Sequence, residues 1–147
     1  MSEITCGLFI ISEGKLLVAH PTGGRDDHWT IPKGLCDESD IDHISTAVRE
    51  VEEETGLKID LNEGIYSDLG MIKYKKRNKI LHAFIFFSNK DLTKEVLKCE
   101  SMVQMKDYSF PEVDKFKWID PKEDIHLIHE SQQSLLTNYM STYAKEI

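Results

Sequence analysis

The segment from residue 44 to residue 55 constrains the fold of this chain more than any other stretch. It predicts an α-helix, because apolar residues recur at helical spacing; these are Ile44, Ala47, Val48 and Val51. Since successive helical residues turn by about 100°, Glu50, Glu53 and Glu54 fall on one arc that faces away from this apolar stripe. Gly56 follows, where a left-handed residue commonly ends a helix.

The three carboxylates on this arc repel one another. Each like-charged pair one turn apart costs about a few tenths of a kcal/mol. A bound cation would offset that cost, and ligands that offer only oxygen favour a hard ion such as Mg²⁺ or Mn²⁺ over zinc. The alternative is a solvated acidic helix face, which is the usual explanation for a run of charge. The helix alone leaves both interpretations open.

The composition of the chain limits its class of function. Its 147 residues suit a single domain, 1–147, with a substantial core. The formal net charge of −8 argues against binding to DNA or to a membrane surface, because such binders are usually basic. Three widely spaced cysteines, Cys6, Cys36 and Cys99, indicate reduced thiols in the cytoplasm rather than a disulfide framework.

Patterns in the rest of the chain predict mainly strands. Runs of β-branched and aromatic residues between turn signals indicate extended segments, namely 4–11, 15–19, 29–32, 57–59 (the start of a strand), 65–74, 80–87 and 112–119. The first two should form a hairpin around Glu13 and Gly14, and 65–74 should pair antiparallel with 80–87.

Three segments of the second half are less regular. Residues 91–99 fit a short helix or a loop, and 100–110 fit an irregular, mobile segment. Pro121 is expected to start a helix. Apolar residues at helical spacing over 125–143 predict a C-terminal helix with a break near His129.

Residues before the helix extend its pattern. Gly34 is followed by a short acidic loop and then by Arg-Glu-Val-Glu-Glu-Glu-Thr-Gly-Leu at 49–57. This arrangement resembles the signature of Nudix hydrolases, which reads Gly, five residues, Glu, seven residues, then Arg-Glu-apolar-x-Glu-Glu-x-Gly-apolar. The second half matches at every specified position. The first half has one extra residue and no glutamate at the expected place, so the loop carboxylate is Glu38, Asp40 or Asp42.

The resemblance implies a fold and a reaction. The fold is α/β, the Nudix α/β/α sandwich, with a mixed β-sheet between helices. The reaction is hydrolysis of a phosphoanhydride bond in a nucleoside diphosphate linked to another moiety, with Mg²⁺ or Mn²⁺ as cofactor. The implied metal ligands are the Gly34 carbonyl, Glu50, Glu53 and Glu54.

Catalytic roles are implied for Arg49, Glu50 and Glu53. Arg49 pairs with a carboxylate of the signature and fixes its rotamer, because its guanidinium is a rigid fork. The general base that accepts the proton of the attacking water differs among Nudix enzymes. The candidates here are Glu53, Glu50, Glu100 and Glu112.

Residues that bind substrate are expected outside the signature. The sequence Trp-Thr-Ile-Pro-Lys-Gly at 29–34 resembles the Nudix branch that includes dinucleoside polyphosphate hydrolases and mRNA-decapping enzymes. Lys33 is a candidate phosphate contact, with an exposed turn lysine as the alternative. Arg25 and Trp29 are candidates to flank the nucleotide, with a core position as the alternative for Trp29.

A basic cluster interrupts the acidic chain between two predicted strands. Its members are Lys73, Lys75, Lys76, Arg77 and Lys79. It is interpreted either as a lip that attracts phosphate or as a solvated hairpin tip whose lysines discourage edge pairing. Tyr74 lies in the window where Nudix diadenosine polyphosphate hydrolases carry a tyrosine, and it is a candidate to stack on a base.

Several activities fit these residues. The leading expectation is a small-molecule nucleotide substrate, either a dinucleoside polyphosphate or ADP-ribose. The alternatives are pyrophosphate removal from RNA 5′ ends, hydrolysis of oxidised nucleotides, and a non-catalytic nucleotide sensor. His126 and His129 are interpreted as surface residues rather than as a metal-binding pair. A homodimer through the N-terminal hairpin is a further expectation.

Overall fold

The computed structural model describes residues 3–75 and 78–143, and these form eight strands and two α-helices. In chain order they are β1 (Glu3–Ser12), β2 (Lys15–Pro21), β3 (Lys33–Leu35), α1 (His43–Thr55), β4 (Gly64–Lys73), β5 (Lys79–Ser88), β6 (Met102–Gln104), β7 (Ser109–Pro111), β8 (Val113–Ile119) and α2 (Glu130–Tyr143). Neither described helix combines the length and the apolar character needed to span a lipid bilayer.

Two long apolar strands, β1 and β5, form the centre of a mixed sheet. They pair in parallel, and both are buried along most of their length, as strands covered on both faces must be. β4 pairs antiparallel with β5, and β2 and β8 continue the sheet beyond β1, so the order is β4-β5-β1-β2-β8. The short β3 pairs antiparallel with the first half of β1, which brings Gly34 opposite Cys6.

The β1–β2 hairpin confirms the prediction from the sequence. Its turn consists of Glu13 and Gly14, with φ angles of 52° and 72°. Left-handed backbone at both positions matches the twist of the flanking strands in a two-residue hairpin. The pairing of Ile11 with Leu16 and of Ser12 with Lys15 follows from this turn.

The helix α1 begins one residue before the predicted segment 44–55 and ends with it. Asp42 caps its start, because a side-chain oxygen accepts the Ser45 N–H at 2.9 Å. Gly56 ends it with φ of 81°, and its N–H donates to the Glu52 carbonyl at 2.8 Å. These two local signals fix the register of the glutamates between them.

The two helices cover opposite faces of the sheet. Ala47 and Val51 of α1 are fully buried in one apolar cluster, whereas Leu136 of α2 is fully buried in the other. Each large side chain buried in this way stabilises the fold by about 1.5–3 kcal/mol. The sheet therefore lies between helices, and the expected α/β/α sandwich with a mixed sheet is confirmed.

The predicted start of a strand at 57–59 is wrong. Leu57 and Ile59 turn towards the cluster under α1 rather than towards a neighbouring strand. The Leu57 N–H donates to the Thr55 hydroxyl at 3.1 Å, so the chain is still capping the helix at this point. A short 3₁₀ helix, Leu61–Glu63, precedes β4.

The segment 100–110 is more regular than the sequence suggested. β6 and β7 within it form a small antiparallel hairpin, with Met102 opposite Pro111 and Gln104 opposite Ser109. Residues 91–99 form a loop, which is one of the two predicted alternatives. Short strands with mixed polarity lack the alternation that would have revealed the hairpin.

The helix expected at Pro121 is absent from the described residues. Asp120 forms a turn there, because its Oδ1 accepts the N–H groups of both Lys122 and Glu123 at 2.9 Å. A short 3₁₀ helix, Ile125–Leu127, follows, and α2 begins only at Glu130. The predicted break near His129 is confirmed.

The basic cluster lies around the β4–β5 hairpin, and the predicted pairing of these strands is confirmed. A bulge between Asp68 and Gly70, where Gly70 has φ of 88°, shifts the register along β4. Lys76 and Arg77 of the predicted cluster lie outside the described residues.

Candidate metal centre and substrate cleft

A close approach between β3 and α1 forms the middle of the site. A Cβ at position 34 would lie 2.1 Å from the Glu50 carboxyl group, so only glycine allows this contact. Next to it, the Lys33 N–H donates to Glu54 Oε1 at 3.3 Å. The sheet thus presents its backbone directly to two carboxylates of the helix.

These two carboxylates are buried and crowded. Glu50 and Glu54 are only 8% and 4% exposed. Burial, together with the neighbouring charge of Glu53, raises the pKa of Glu50 to about 8. Burial, together with the charges of Glu112 and Glu50, raises the pKa of Glu54 to about 9. The site therefore holds more negative charge than its own cations neutralise.

Arg49 organises one side of this cluster. Its Nε and Nη2 atoms donate to the two oxygens of Asp40 at 3.1 and 2.9 Å, forming a bidentate pair. Its Nη1 donates to Glu53 at 3.0 Å and lies 3.6 Å from Glu50. A further bond from Nη2 reaches the Leu35 carbonyl at 3.1 Å. Arg49 therefore ties the loop before α1 to the carboxylates on it.

The three acidic residues that the sequence offers for the loop position differ in their contacts. Asp40 is the partner of Arg49, and this hydrogen bond holds the pKa of Asp40 well below its usual range. Asp42 instead caps α1. Glu38 is exposed. The extra residue in this loop is absorbed by turns in which Asp37 and Asp40 bind neighbouring backbone N–H groups.

A fourth carboxylate reaches the cluster from the β6–β7 hairpin. The charge of Glu112 contributes to the raised pKa of both Glu50 and Glu54. Ser101 positions it, because the Ser101 hydroxyl donates to Glu112 Oε2 at 2.7 Å and the Glu112 N–H donates to the Ser101 carbonyl at 2.9 Å.

The base of this hairpin rests on the helix itself. The N–H groups of Glu100 and Ser101 both donate to the Glu53 carbonyl, at 2.7 and 2.9 Å. Both Glu100 and Glu112 are exposed. The charge of Glu112, and not that of Glu100, is among the main causes of the raised pKa of Glu50 and Glu54, which favours Glu112 as the candidate general base outside the signature.

The donors at this point suit a hard divalent cation. They are all oxygen atoms: the Gly34 carbonyl and the carboxylates of Glu50, Glu53, Glu54 and Glu112. The absence of a side chain at Gly34 lets the backbone of β3 approach the Glu50 carboxylate closely. Oxygen ligands with several negative charges are what Mg²⁺ and Mn²⁺ prefer.

A cleft of about 750 Å³ adjoins this centre on the α2 face of the sheet. Its lining includes Arg25, Lys33, Tyr74, His126, His129 and Gln132. Lys33 connects the two regions, because it lines the cleft while its backbone N–H donates to Glu54. The structure therefore brings together three of the five residues predicted to bind substrate.

The other two predicted substrate residues lie elsewhere. Trp29 is 8% exposed in the core, where its indole N–H donates to the Asp26 carbonyl at 3.1 Å, so it has no free face for a base. Lys73 is exposed on β4. Because its neighbours Ile72 and Tyr74 pack towards α2, strand alternation places Lys73 on the opposite face from the cleft.

The cleft also contains residues that sequence reasoning missed. His126 and His129 line it, although the pattern suggested surface positions. The His129 ring contacts the Tyr74 ring edge to face, with centroids 5.3 Å apart. This contact joins the end of β4 to the segment before α2, a long-range contact that local spacing does not reveal.

Comparison with known proteins agrees with this geometry. Residues 1–138 match the NUDIX domain family. An uncharacterised 17.7 kDa protein of the e-segB intergenic region of enterobacteria phage T4 is 30% identical over 148 residues. That match covers 94% of this chain and 95% of the phage protein.

Solved structures share the fold. An Ap4A hydrolase of C. elegans, solved as a binary complex, superposes with a TM-score of 0.69 at 19% identity, covering 96% of this chain and 98% of the other. A bifunctional NMN adenylyltransferase/ADP ribose pyrophosphatase of Francisella tularensis, complexed with AMP and a Mn ion, has a TM-score of 0.69 at 15% identity. This match covers 97% of the present chain and 42% of the other. These structures show the shared fold, and the family match over residues 1–138 shows that the chain belongs to the Nudix family of hydrolases.

Proposed function

We propose that this Nudix hydrolase is a Mg²⁺- or Mn²⁺-dependent pyrophosphohydrolase that cleaves a phosphoanhydride bond in a nucleoside diphosphate linked to another moiety. The observation that carries the proposal is the buried group of carboxylates around Gly34, joined through Lys33 to a cleft of nucleotide size. A negatively charged diphosphate is accommodated there only if cations compensate the charge of the glutamates.

The metal ligands in this proposal are the Gly34 carbonyl, Glu50, Glu53 and Glu54. When bound, a divalent cation neutralises charge that develops on phosphate oxygens and lowers the pKa of a coordinated water. The support from the chain is the burial of Glu50 and Glu54, which raises the pKa of both carboxyl groups, and the charges of neighbouring carboxylates, which raise them further.

The protein residues position and deprotonate the reactants. Arg49 holds Glu53 through a 3.0 Å bond from Nη1, which fixes the direction of that carboxylate. Glu53 is half-exposed and is our proposed acceptor of the water proton, with Glu50 and Glu112 as alternative acceptors. Such a base typically contributes a factor of about 10²–10⁴ to the rate.

Recognition of the substrate is assigned to the cleft. Arg25 and Lys33 offer positive charge to a diphosphate, and Tyr74 offers an aromatic face to a base or ribose. Dinucleoside polyphosphates and ADP-ribose both contain linked phosphates, a ribose and a base. The names of the similar structures, an Ap4A hydrolase and an ADP ribose pyrophosphatase, support this pair of substrate classes.

A substrate panel with Mg²⁺ or Mn²⁺ tests the proposal. It includes diadenosine polyphosphates, ADP-ribose, NADH, FAD, capped RNA and nucleoside triphosphates, with products separated by anion-exchange chromatography. Glu53→Gln is expected to lower kcat by roughly 10²–10⁴-fold on the best substrate. Glu52→Gln, a change on the same helix outside the carboxylate cluster, serves as the matched control.

Two results would contradict the proposal. One is nucleotide binding without hydrolysis of any panel member, which would indicate a sensor. The other is a Glu53→Gln rate close to that of the unmodified enzyme, which would remove Glu53 from the reaction.

A further inference from the structure

A second group of metal-binding side chains lies on the α1 face of the sheet. Cys6 on β1, Cys36 just after β3 and His43 at the start of α1 come from three separate segments. Their Sγ atoms and a ring nitrogen of His43 all lie within 4.8 Å of one another. The two Sγ atoms are 3.1 Å apart. Packing of β3 and α1 onto β1 creates this thiol–imidazole cluster.

A hydrogen-bond chain behind His43 sets its orientation. His43 Nδ1 lies 2.7 Å from His82 Nδ1, and His82 Nε2 lies 2.8 Å from Asp68 Oδ1. If both rings are neutral, Asp68 accepts the His82 Nε2–H, so His82 Nδ1 accepts the His43 Nδ1–H. That arrangement leaves Nε2 of His43 with its lone pair. Metal-binding histidines are commonly held in this way by a carboxylate or another acceptor behind the ring.

The cluster is accessible to ions. It borders an open cleft of about 600 Å³ that is also lined by several aspartates: Asp37, Asp40, Asp42 and Asp68. Cys36 is exposed, whereas Cys6 is fully buried at the back. A cation therefore has an acidic entrance leading to thiol ligands.

We propose that Cys6, Cys36 and His43 form a site for a thiophilic divalent cation of the Zn²⁺ type, distinct from the oxygen-lined centre. Thiolate and imidazole ligands select Zn²⁺ over Mg²⁺, Mn²⁺ and Ca²⁺. With Zn–S bonds of about 2.3 Å in a tetrahedron, two sulfurs lie roughly 3.7 Å apart. The thiols need to separate only slightly from 3.1 Å to reach that distance. The fourth position faces the cleft, where water completes the coordination.

Such a site would clamp the loop that serves the catalytic centre. Cys36 and His43 bracket residues 37–42, and Asp40 in this loop holds Arg49 through its bidentate pair. A cation bound to both ends fixes the loop to β1 through Cys6. The thiol cluster would thereby stabilise the position of Arg49 without contacting the substrate.

Titration of the full-length, reduced and metal-free protein with Co²⁺ tests this site, because thiolate ligands give Co²⁺ an intense near-ultraviolet charge-transfer absorption that oxygen ligands do not. We expect one equivalent of Co²⁺ with this absorption, displaced by Zn²⁺ and unaffected by excess Mg²⁺. Cys36→Ser and His43→Ala are expected to weaken binding by at least roughly 100-fold. Cys99→Ser is the matched control and should bind as the unmodified protein does. Circular dichroism checks that each variant is folded.

Each alternative outcome overturns the proposal. If Cys36→Ser and His43→Ala both keep unmodified affinity and absorption, the cation binds elsewhere. If the reduced protein shows no thiolate absorption, the cluster does not bind such ions. If aerobic preparation lowers the count of reactive thiols from three to one, and the reduced form binds no Co²⁺, then Cys6 and Cys36 are a redox pair instead.

Discussion

Replacing Glu54 with glutamine is expected to stabilise the metal-free protein while destroying its activity. Glu54 is 4% exposed, and burial with the charges of Glu112 and Glu50 raises its pKa to about 9. At neutral pH, folding without metal must therefore either protonate this group or bury its charge. Glutamine removes that cost and keeps an oxygen that accepts the Lys33 N–H, a bond of 3.3 Å in the unmodified protein.

The magnitude follows from the linkage between pKa and stability. Because the pKa of Glu54 is raised in the folded state, its contribution to the free energy of unfolding is fully present below pH 4.5. This contribution is lost as the pH rises towards about 9. Each pH unit in this window corresponds to about 1.4 kcal/mol. At pH 7 the raised pKa of Glu54 therefore lowers the free energy of unfolding of the metal-free protein by on the order of 3 kcal/mol. For a chain of this size, that loss corresponds to roughly 6–12 °C in Tm.

Thermal and urea unfolding between pH 4 and pH 9 measure this effect, each with EDTA and with excess Mg²⁺. The stability of Glu54→Gln in EDTA should match that of the unmodified protein near pH 4 and exceed it increasingly above pH 5. Mg²⁺ should reverse the order, because only the carboxylate form binds it well. Glu52→Gln controls for the loss of one charge from α1. Equal stability of Glu54→Gln and the unmodified protein at pH 8 in EDTA would refute the reasoning.

Three other substitutions test the remaining parts of the site. Gly34→Ala should abolish activity and destabilise the fold by about 1–3 kcal/mol, measured by urea unfolding, because its Cβ would lie 2.1 Å from the Glu50 carboxyl. Arg49→Lys keeps the charge but loses the bidentate fork, so kcat should fall by at least about 10-fold in steady-state assays; an unchanged kcat would contradict the positioning role. Tyr74→Leu should raise KM several-fold with kcat retained, whereas Tyr66→Leu on β4, outside the lining of the cleft, should change neither. Equal effects of the two substitutions would contradict a role of Tyr74 in substrate binding.

The parts of the molecule that local sequence determines were predictable. The register of α1 follows from apolar spacing and Gly56, so Glu50, Glu53 and Glu54 could be placed on one arc before any tertiary contact was known. The loop before α1 was ambiguous for a physical reason. Asp40 and Asp42 are the same residue type two positions apart, and only the three-dimensional reach of Arg49 distinguishes its partner from the helix cap.

Long-range packing determines the features that the sequence did not reveal. A tryptophan such as Trp29 can pack in a core or against a nucleotide, and only its burial in the folded protein decides between the two. Lys73 and Tyr74 are neighbours in the chain but lie on opposite faces of the sheet, which a cluster of basic residues does not indicate. Cys6 and Cys36 lie 30 residues apart, and their contact depends on the pairing of β3 with β1.

The two ends of the β6–β7 hairpin and its tip differ in how much sequence change they tolerate. Its two ends are anchored, at Ser101 to the Glu53 carbonyl and at Glu112 to Ser101, whereas the tip at 105–108 is closed by its own bond from the Met105 N–H to the Tyr108 carbonyl. Evolution or design can therefore lengthen, shorten or exchange the tip as a module while the reaction machinery stays intact. Exchange of the tip is therefore a route to hydrolases that share one catalytic centre and differ in their substrates.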